Sequence, residues 1–306
     1  MAGTAQRPHS ANYFGASREF WWNADFIALM ASRWQLGSVH RALDVGCGVG
    51  HWGRTLGPHL HPSAKMFGVD REQEWVDRAT EEAARAGVSD RHRYQQADLA
   101  HLPFADGSFD LVTCQTVLIH VPDVRAVLAE MARVTAPGGL IAVAEPNNMA
   151  GSLVFDRVTF EAPVDETLDC VRLQMVCERG KAALGEGNNS IGGQLPGMFA
   201  DMGLTQVSAF LSDKSGLTLP PYGSAEARAI VDELLDHASR DYWHLWERDE
   251  AHRYFLAGGG DEGTFEALWQ RARGRLERGA EEARAGRYRS AGGHVFYLVS
   301  GRRPVR

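Results

Sequence analysis

Two hydrophobic periods alternate along the first half of the chain. Short, nearly continuous apolar runs in RALDV, AKMFGVD, SFDLVTCQ and GLIAVAEP have the pattern of strands buried on both faces. The more polar RHRYQQAD fits between the second and third of them as a further strand. Helical spacing fills the gaps. HWGRTLGPHL predicts a short helix after the first strand, and Glu72 to Ala86 predicts a longer one that Gly87 stops. After Pro122, Val124, Val127, Leu128, Met131 and Val134 recur at helical spacing. Residues 10–36 also read as helical, with Phe20, Trp21, Ile27, Leu29 and Met30 on the apolar faces.

Successive strand–helix steps imply a parallel sheet with helices on both faces. The alternation breaks after residue 146. Leu168, Val171, Met175 and Val176 predict a helix there, and a helix and a strand resume over 191–211. Residues 212–290 carry two or three more helices, one with Phe265, Leu268, Trp269, Ala272 and Leu276 on one face. GGHVFYLVSG is the last strand. The expected organisation is an N-terminal helical lid (1–36), a core (37–149), a helical cap insertion (150–190), a core helix and strand (191–211), a second cap insertion (212–290), and a final core strand and tail (291–306). Insertions this long and this periodic are neither simple connections nor disorder.

Composition narrows the function classes. At 306 residues the chain can bury a sizeable core without staples, and 44% apolar with 23% charged residues is ordinary for a globular protein. A net charge of −7 with no basic block argues against a polyanionic partner. No apolar run is long enough to span a bilayer, and MAGTAQRPHS lacks the apolar stretch of a secretory leader. Cys47, Cys114, Cys170 and Cys177 form no CxxC pair and no zinc spacing, so they are expected as buried reduced thiols with no metal. The expectation is a cytoplasmic protein with a small-molecule substrate and no nucleic-acid or membrane partner, compatible with a homodimer.

The candidate chemistry starts at LDVGCGVG, Leu43 to Gly50. Gly46 and Gly48 stand where a strand must bend sharply into a helix, and the missing Cβ lets a ligand approach the backbone. A dinucleotide fingerprint would need Gly at position 51, where this chain has His51. That counts against a nicotinamide oxidoreductase. Asp70 closes the second strand in FGVD and can accept from both hydroxyls of a ribose, a feature shared by all adenosine cofactors. The third motif, ADLAHLPFADGSFDLVTCQTVLIHVPD, runs from Ala97 to Asp123.

With these three motifs in order, the chain resembles the class I (Rossmann-like) S-adenosylmethionine-dependent methyltransferases of small-molecule type, similar to quinone-biosynthesis and natural-product enzymes. The resemblance is strong over roughly residues 40–146 and weak elsewhere. It implies an α/β fold with a seven-stranded, mostly parallel sheet whose last strand is antiparallel. It also implies that Asp44 and the backbone of Gly46, Cys47 and Gly48 hold the methionine end of S-adenosylmethionine, and that Asp70 holds the ribose with Arg71 beside the adenine. Ala97, Asp98 and Leu99 would face the base, Asp98 through its carboxylate and Leu99 through its amide. Gln115 would line the methionyl end, with His120 just beyond it. The long 212–290 insertion departs from the minimal family pattern and leaves the acceptor open.

Other candidates admit two readings each. His120 is either a general base or a group packed above the cofactor. Glu145, after the fifth strand, either orients the acceptor or caps a turn. Tyr13 either reaches the methionine carboxylate or belongs to an aromatic helix face with Trp22. Tyr242, Trp246 and Trp22 either line an aromatic acceptor pocket or are core. The function expected is methyl transfer to an O, N or C atom of a small metabolite, aromatic or not, in secondary-metabolite or cofactor biosynthesis. The alternatives are a methyltransferase fold turned to cofactor binding or non-methylating chemistry, and the nicotinamide enzyme.

Overall fold

A computed structural model describes residues 16–152 and 157–305. The regular elements run α1 (Ala24–Arg33), β1 (Arg41–Val45), α2 (His51–Leu56), β2 (Lys65–Asp70), α3 (Gln73–Arg85), β3 (His92–Gln96), β4 (Phe109–Gln115), α4 (Val124–Val134) and β5 (Thr135–Pro146). They continue with α5 (Asn148–Gly151), α6 (Arg157–Glu161), α7 (Val164–Ala183), α8 (Leu195–Asp201), β6 (Thr205–Leu211), α9 (Ala225–Ser239), β7 (Tyr242–Trp243), β8 (Trp246–Glu247), α10 (Arg248–Ala257), α11 (Glu262–Arg284) and β9 (Phe296–Arg302).

The chain divides into two compact units. Among the described residues, 24–148, 181–213 and 295–305 form a sheet unit, and 16–23, 149–152, 157–180 and 214–294 form a helical unit. Residues 24–36, expected with the N-terminal lid, belong to the sheet unit. The reason is visible in α1, which buries Phe26, Ile27, Met30 and Ala31, and in Arg33, whose guanidinium lies 4.5 Å from the Phe210 ring centroid.

The sheet unit holds seven strands in the order β3-β2-β1-β4-β5-β9-β6. The pairs β1–β2, β1–β4, β2–β3 and β4–β5 are parallel, and β9 runs antiparallel to both β5 and β6. The central strands are apolar almost throughout because helices cover both faces. Leu43, Val45, Val112, Cys114, Ile141, Val143 and Val299 form the centre of its core with Leu128, Met131 and Phe199. The predicted face of α4 is buried in full, and the Asp123 side chain caps that helix by accepting from the Ala126 amide at 3.0 Å. Gly87 ends α3 at φ 69°.

The helical unit has its own core, made by Cys170, Leu173 and Cys177 of α7 with Trp243, Trp246, Tyr254, Phe255, Phe265, Leu268 and Trp269. The α11 stripe lies as predicted. The α7 stripe does not: Leu168 is 56% and Met175 40% exposed. The face actually buried carries Cys170, Leu173, Gln174, Cys177 and Glu178. All four cysteines are free and buried. Among the described residues no helix is long and apolar enough to cross a membrane.

Candidate active site

The bend after β1 has three left-handed glycines, Gly46, Gly48 and Gly50, at φ 69°, 51° and 73°. This conformation costs an L side chain roughly 1–2 kcal/mol. Space is short as well. A Cβ on Gly46 would lie 2.6 Å from Val117 Cγ2, and one on Gly50 would lie 2.5 Å from the Tyr94 hydroxyl oxygen. The bend is therefore pressed between β3 and the segment that follows β4.

Asp70, at the end of β2, is half-buried beside this bend. Its Oδ2 accepts from the Gly48 amide at 2.9 Å and its Oδ1 from the Glu72 amide at 3.1 Å. Burial pushes its pKa up, while the two amides pull the other way. An ionised carboxylate offers about four lone-pair sites, so each oxygen retains capacity for a further donor. The Cys47 amide donates to the Val69 carbonyl at 2.8 Å, and burial pushes the Cys47 thiol well up. The thiol is inert, and this residue contributes backbone.

The edge strand supplies the next group. The Ala97 amide continues the ladder by donating to the Asp70 carbonyl at 2.9 Å. Asp98 is exposed; its Oδ1 accepts from the Ala100 amide at 2.9 Å, and its Oδ2 faces His101 Nδ1 at 3.4 Å. The Ala100 amide, then His101, hold its carboxyl below the usual range. Leu99 packs against the sheet core. Arg71 is exposed and pairs with Glu72 at 3.0 Å.

Gln115 ends β4 at 3% exposure, and neither its Oε1 nor its Nε2 meets a hydrogen-bond partner. Burying a bare amide costs roughly 1–3 kcal/mol in proteins. Val117 and the turn Leu118–His120 follow, with His120 half-buried at its end.

Two expected ligand groups are engaged elsewhere. Asp44 is buried, and its Oδ2 accepts from the Gly53 amide at 3.0 Å. Its carboxylate thus satisfies the first turn of α2, where negative charge is favoured. Glu145 is 0% exposed, and its Oε1 accepts from the Val117 and Leu118 amides at 2.9 and 3.0 Å. Burial pushes its pKa up to about 7 against the pull of those amides. Tyr13 lies outside the described residues. Trp22, half-buried, belongs to the helical unit, as do Tyr242 and Trp246, which are closed into its interior.

Three groups at this site escape sequence reasoning. Tyr94 fills the space left by Gly50 and by Gly68; a glycine inside a strand is the signal that could have found it. Thr113 accepts from Trp52 Nε1 at 2.8 Å and donates to the Ala142 carbonyl at 2.5 Å, tying α2, β4 and β5. Lys181, 2% exposed, donates from Nζ to the Ile119 carbonyl at 3.0 Å and to Asn189 Oδ1. Nothing in the local pattern announces it.

Residues 43–143 match the family described as a methyltransferase domain. Methyltransferase GfsG of Streptomyces halstedii is 39% identical over 113 residues, 37% of this chain and 40% of that protein. Demethylmenaquinone methyltransferase of Lactobacillus johnsonii is 33% identical over 113 residues, 37% of this chain and 46% of its own. The chain thus spans less than half the length of these relatives. Among solved structures, the [4+2]-cyclase SpnF shares the fold at a TM-score of 0.52 and 17% identity, over 97% of this chain and 93% of its own.

Proposed function

With residues 43–143 matching the family described as a methyltransferase domain, we propose that the chain transfers a methyl group from S-adenosylmethionine to an O, N or C atom of a small metabolite. One observation carries the reading: the glycine bend, Asp70 with lone pairs to spare, and the orphaned Gln115 amide stand together at the C-terminal ends of β1, β2 and β4. Ligands of open α/β sheets bind at such strand ends.

The residues present fit the cofactor. Asp70 would take the ribose hydroxyls, Asp98 and the Leu99 amide the adenine, with Arg71 beside it. The backbone of Gly46, Cys47 and Gly48 and the Gln115 amide would take the methionyl end. When bound, S-adenosylmethionine supplies an already activated methyl electrophile. The protein's task is then to orient the acceptor and exclude water, and orientation alone contributes on the order of 7–11 kcal/mol. His120, at the end of its turn, would accept a proton from an O–H or N–H acceptor. Tyr242 and Trp246 shape the helical unit from within its core.

Calorimetry with S-adenosylhomocysteine tests the site, and transfer of labelled methyl to a panel of phenols, amines and enolisable carbonyl compounds tests the reaction. Binding with turnover on a panel member supports the proposal. Binding without turnover across the panel moves the chain to the non-methylating use of the fold for which SpnF is named. Absence of binding removes the reading altogether.

A further inference from the structure

The turn that carries His120 is held at both ends by buried ionisable side chains. Its N–H end, the Val117 and Leu118 amides, donates to Glu145 Oε1 at 2.9 and 3.0 Å. Its C=O end, the Ile119 carbonyl, accepts from Lys181 Nζ at 3.0 Å. A helical turn leaves amides bare at its start and carbonyls bare at its end, with partial positive and negative charge respectively. The carboxylate and the ammonium sit where that polarity favours each.

Neighbouring residues fit the same arrangement. Asn189 gives Oδ1 to the Lys181 ammonium, and its own carbonyl accepts from Asn148 Nδ2 at 2.9 Å. Gly187, at φ 98°, runs so close to the Ile119 carbonyl that a Cβ there would collide with it. On the opposite side the Val117 side chain lies against Gly46, within 2.6 Å of where a Cβ would stand. A displacement of the turn is therefore passed to the glycine bend by direct contact. Close-packed groups at such distances have no slack to absorb it.

We propose that Lys181 and Glu145 are a positioning pair, clamping the Val117–His120 turn against Gly46 so that the cofactor bend and His120 are set together. The proposal rests on the methyltransferase reading above for its functional consequence. Neither residue is assigned a step in the reaction. Lys181 acts through Ile119, and Glu145 through Val117 and Leu118.

The test uses the full chain with Lys181→Met, Lys181→Arg, Glu145→Gln and Asn189→Ala. S-adenosylhomocysteine affinity is measured by calorimetry, and exchange of the Val117 and Leu118 amides by NMR. Lys181→Met should weaken binding roughly 10- to 150-fold, the scale of one hydrogen bond to a charged group, and Glu145→Gln, which keeps an oxygen for the two amides, should weaken it by a smaller factor that still exceeds twofold. Lys181→Arg should recover most of the loss, and Asn189→Ala should lose less than Lys181→Met. Lys181→Met should also speed exchange at Val117 and Leu118, amides that Lys181 does not touch. If Lys181→Met does not fold, Glu145→Gln and Asn189→Ala carry the same two readouts. Folded variants that bind the ligand within twofold of wild type and keep these amides protected would overturn the clamp and leave the cofactor site standing. A wild-type chain that fails to bind would instead remove the methyltransferase reading, and exchange at the two amides would still report on the clamp.

Discussion

Glu145→Gln should change the pH dependence of folding in a direction fixed by burial. The Glu145 carboxyl is fully buried, and its pKa stands near 7 in place of the usual 4.5 because desolvation outweighs the amides on Oε1. The titratable group facing it is Cys114, whose thiol donates to Oε1 at 3.6 Å and is itself pushed up by burial, so it stays protonated. The folded state therefore keeps the carboxyl proton to higher pH than the unfolded chain does. The resulting stability is fully present below the unfolded value, falls as pH rises, and is lost above the folded value near 7. A gap between 4.5 and about 7 corresponds to ~3 kcal/mol. Glutamine stays neutral, keeps an oxygen for the amides, and leaves Nε2 without a partner at every pH, so that last penalty does not vary. Urea unfolding of both proteins at several pH values across this window should show the stability difference drifting by up to ~3 kcal/mol in favour of glutamine as pH rises. Parallel pH profiles for the two proteins would refute the buried-carboxyl argument.

Three further substitutions test the site from different sides. Asp70→Ala should weaken S-adenosylhomocysteine binding by roughly 100- to 10,000-fold by calorimetry, since two hydroxyl contacts to a charged group are lost; unchanged affinity would refute the ribose assignment. Gly46→Ala should destabilise by about 2–4 kcal/mol from its left-handed φ and the crowding at Val117; addition of Val117→Ala should recover part of the loss in denaturant unfolding by relieving the crowding, and no recovery would place the cost in the backbone alone. Trp52→Phe should cost about 1–2 kcal/mol through the lost bond to Thr113, and a double-mutant cycle with Thr113→Val should show coupling between the two.

Legibility in the sequence followed the kind of burial involved. The strands β1, β2, β4 and β5 and the face of α4 were readable because their buried positions are nearly all apolar, so a count of periods finds them. The α7 helix was not. Its inward face includes Gln174 and Glu178, while Leu168 and Met175 face solvent, so apolar spacing pointed to the wrong side. Lys181 at the end of that helix was invisible for the same reason. Only tertiary partners, here the Ile119 carbonyl and Asn189, make a buried ammonium tolerable. The division near residue 24 was likewise set by what α1 buries and not by its helical period.

The acidic residues at the strand ends make the same point about the site. Asp44, Asp70, Asp98 and Glu145 all follow or close strands of one sheet, and by residue type each can serve a cofactor or a substrate. The structure ranks them by solvent. Asp44 and Glu145 are buried, and both accept from backbone amides, those of α2 and of the His120 turn. Unmet amides at the start of a helical turn must find an acceptor before any ligand does, so these two carboxylates belong to the scaffold. Asp70 is half-buried with one amide on each oxygen, and Asp98 is exposed with one oxygen accepting from the Ala100 amide and the other facing a histidine. Both retain acceptor capacity toward solvent, which is where an adenosine would approach. Exposure of the oxygens, invisible in a residue string, separates the carboxylates engaged within the scaffold from those with acceptor capacity to spare.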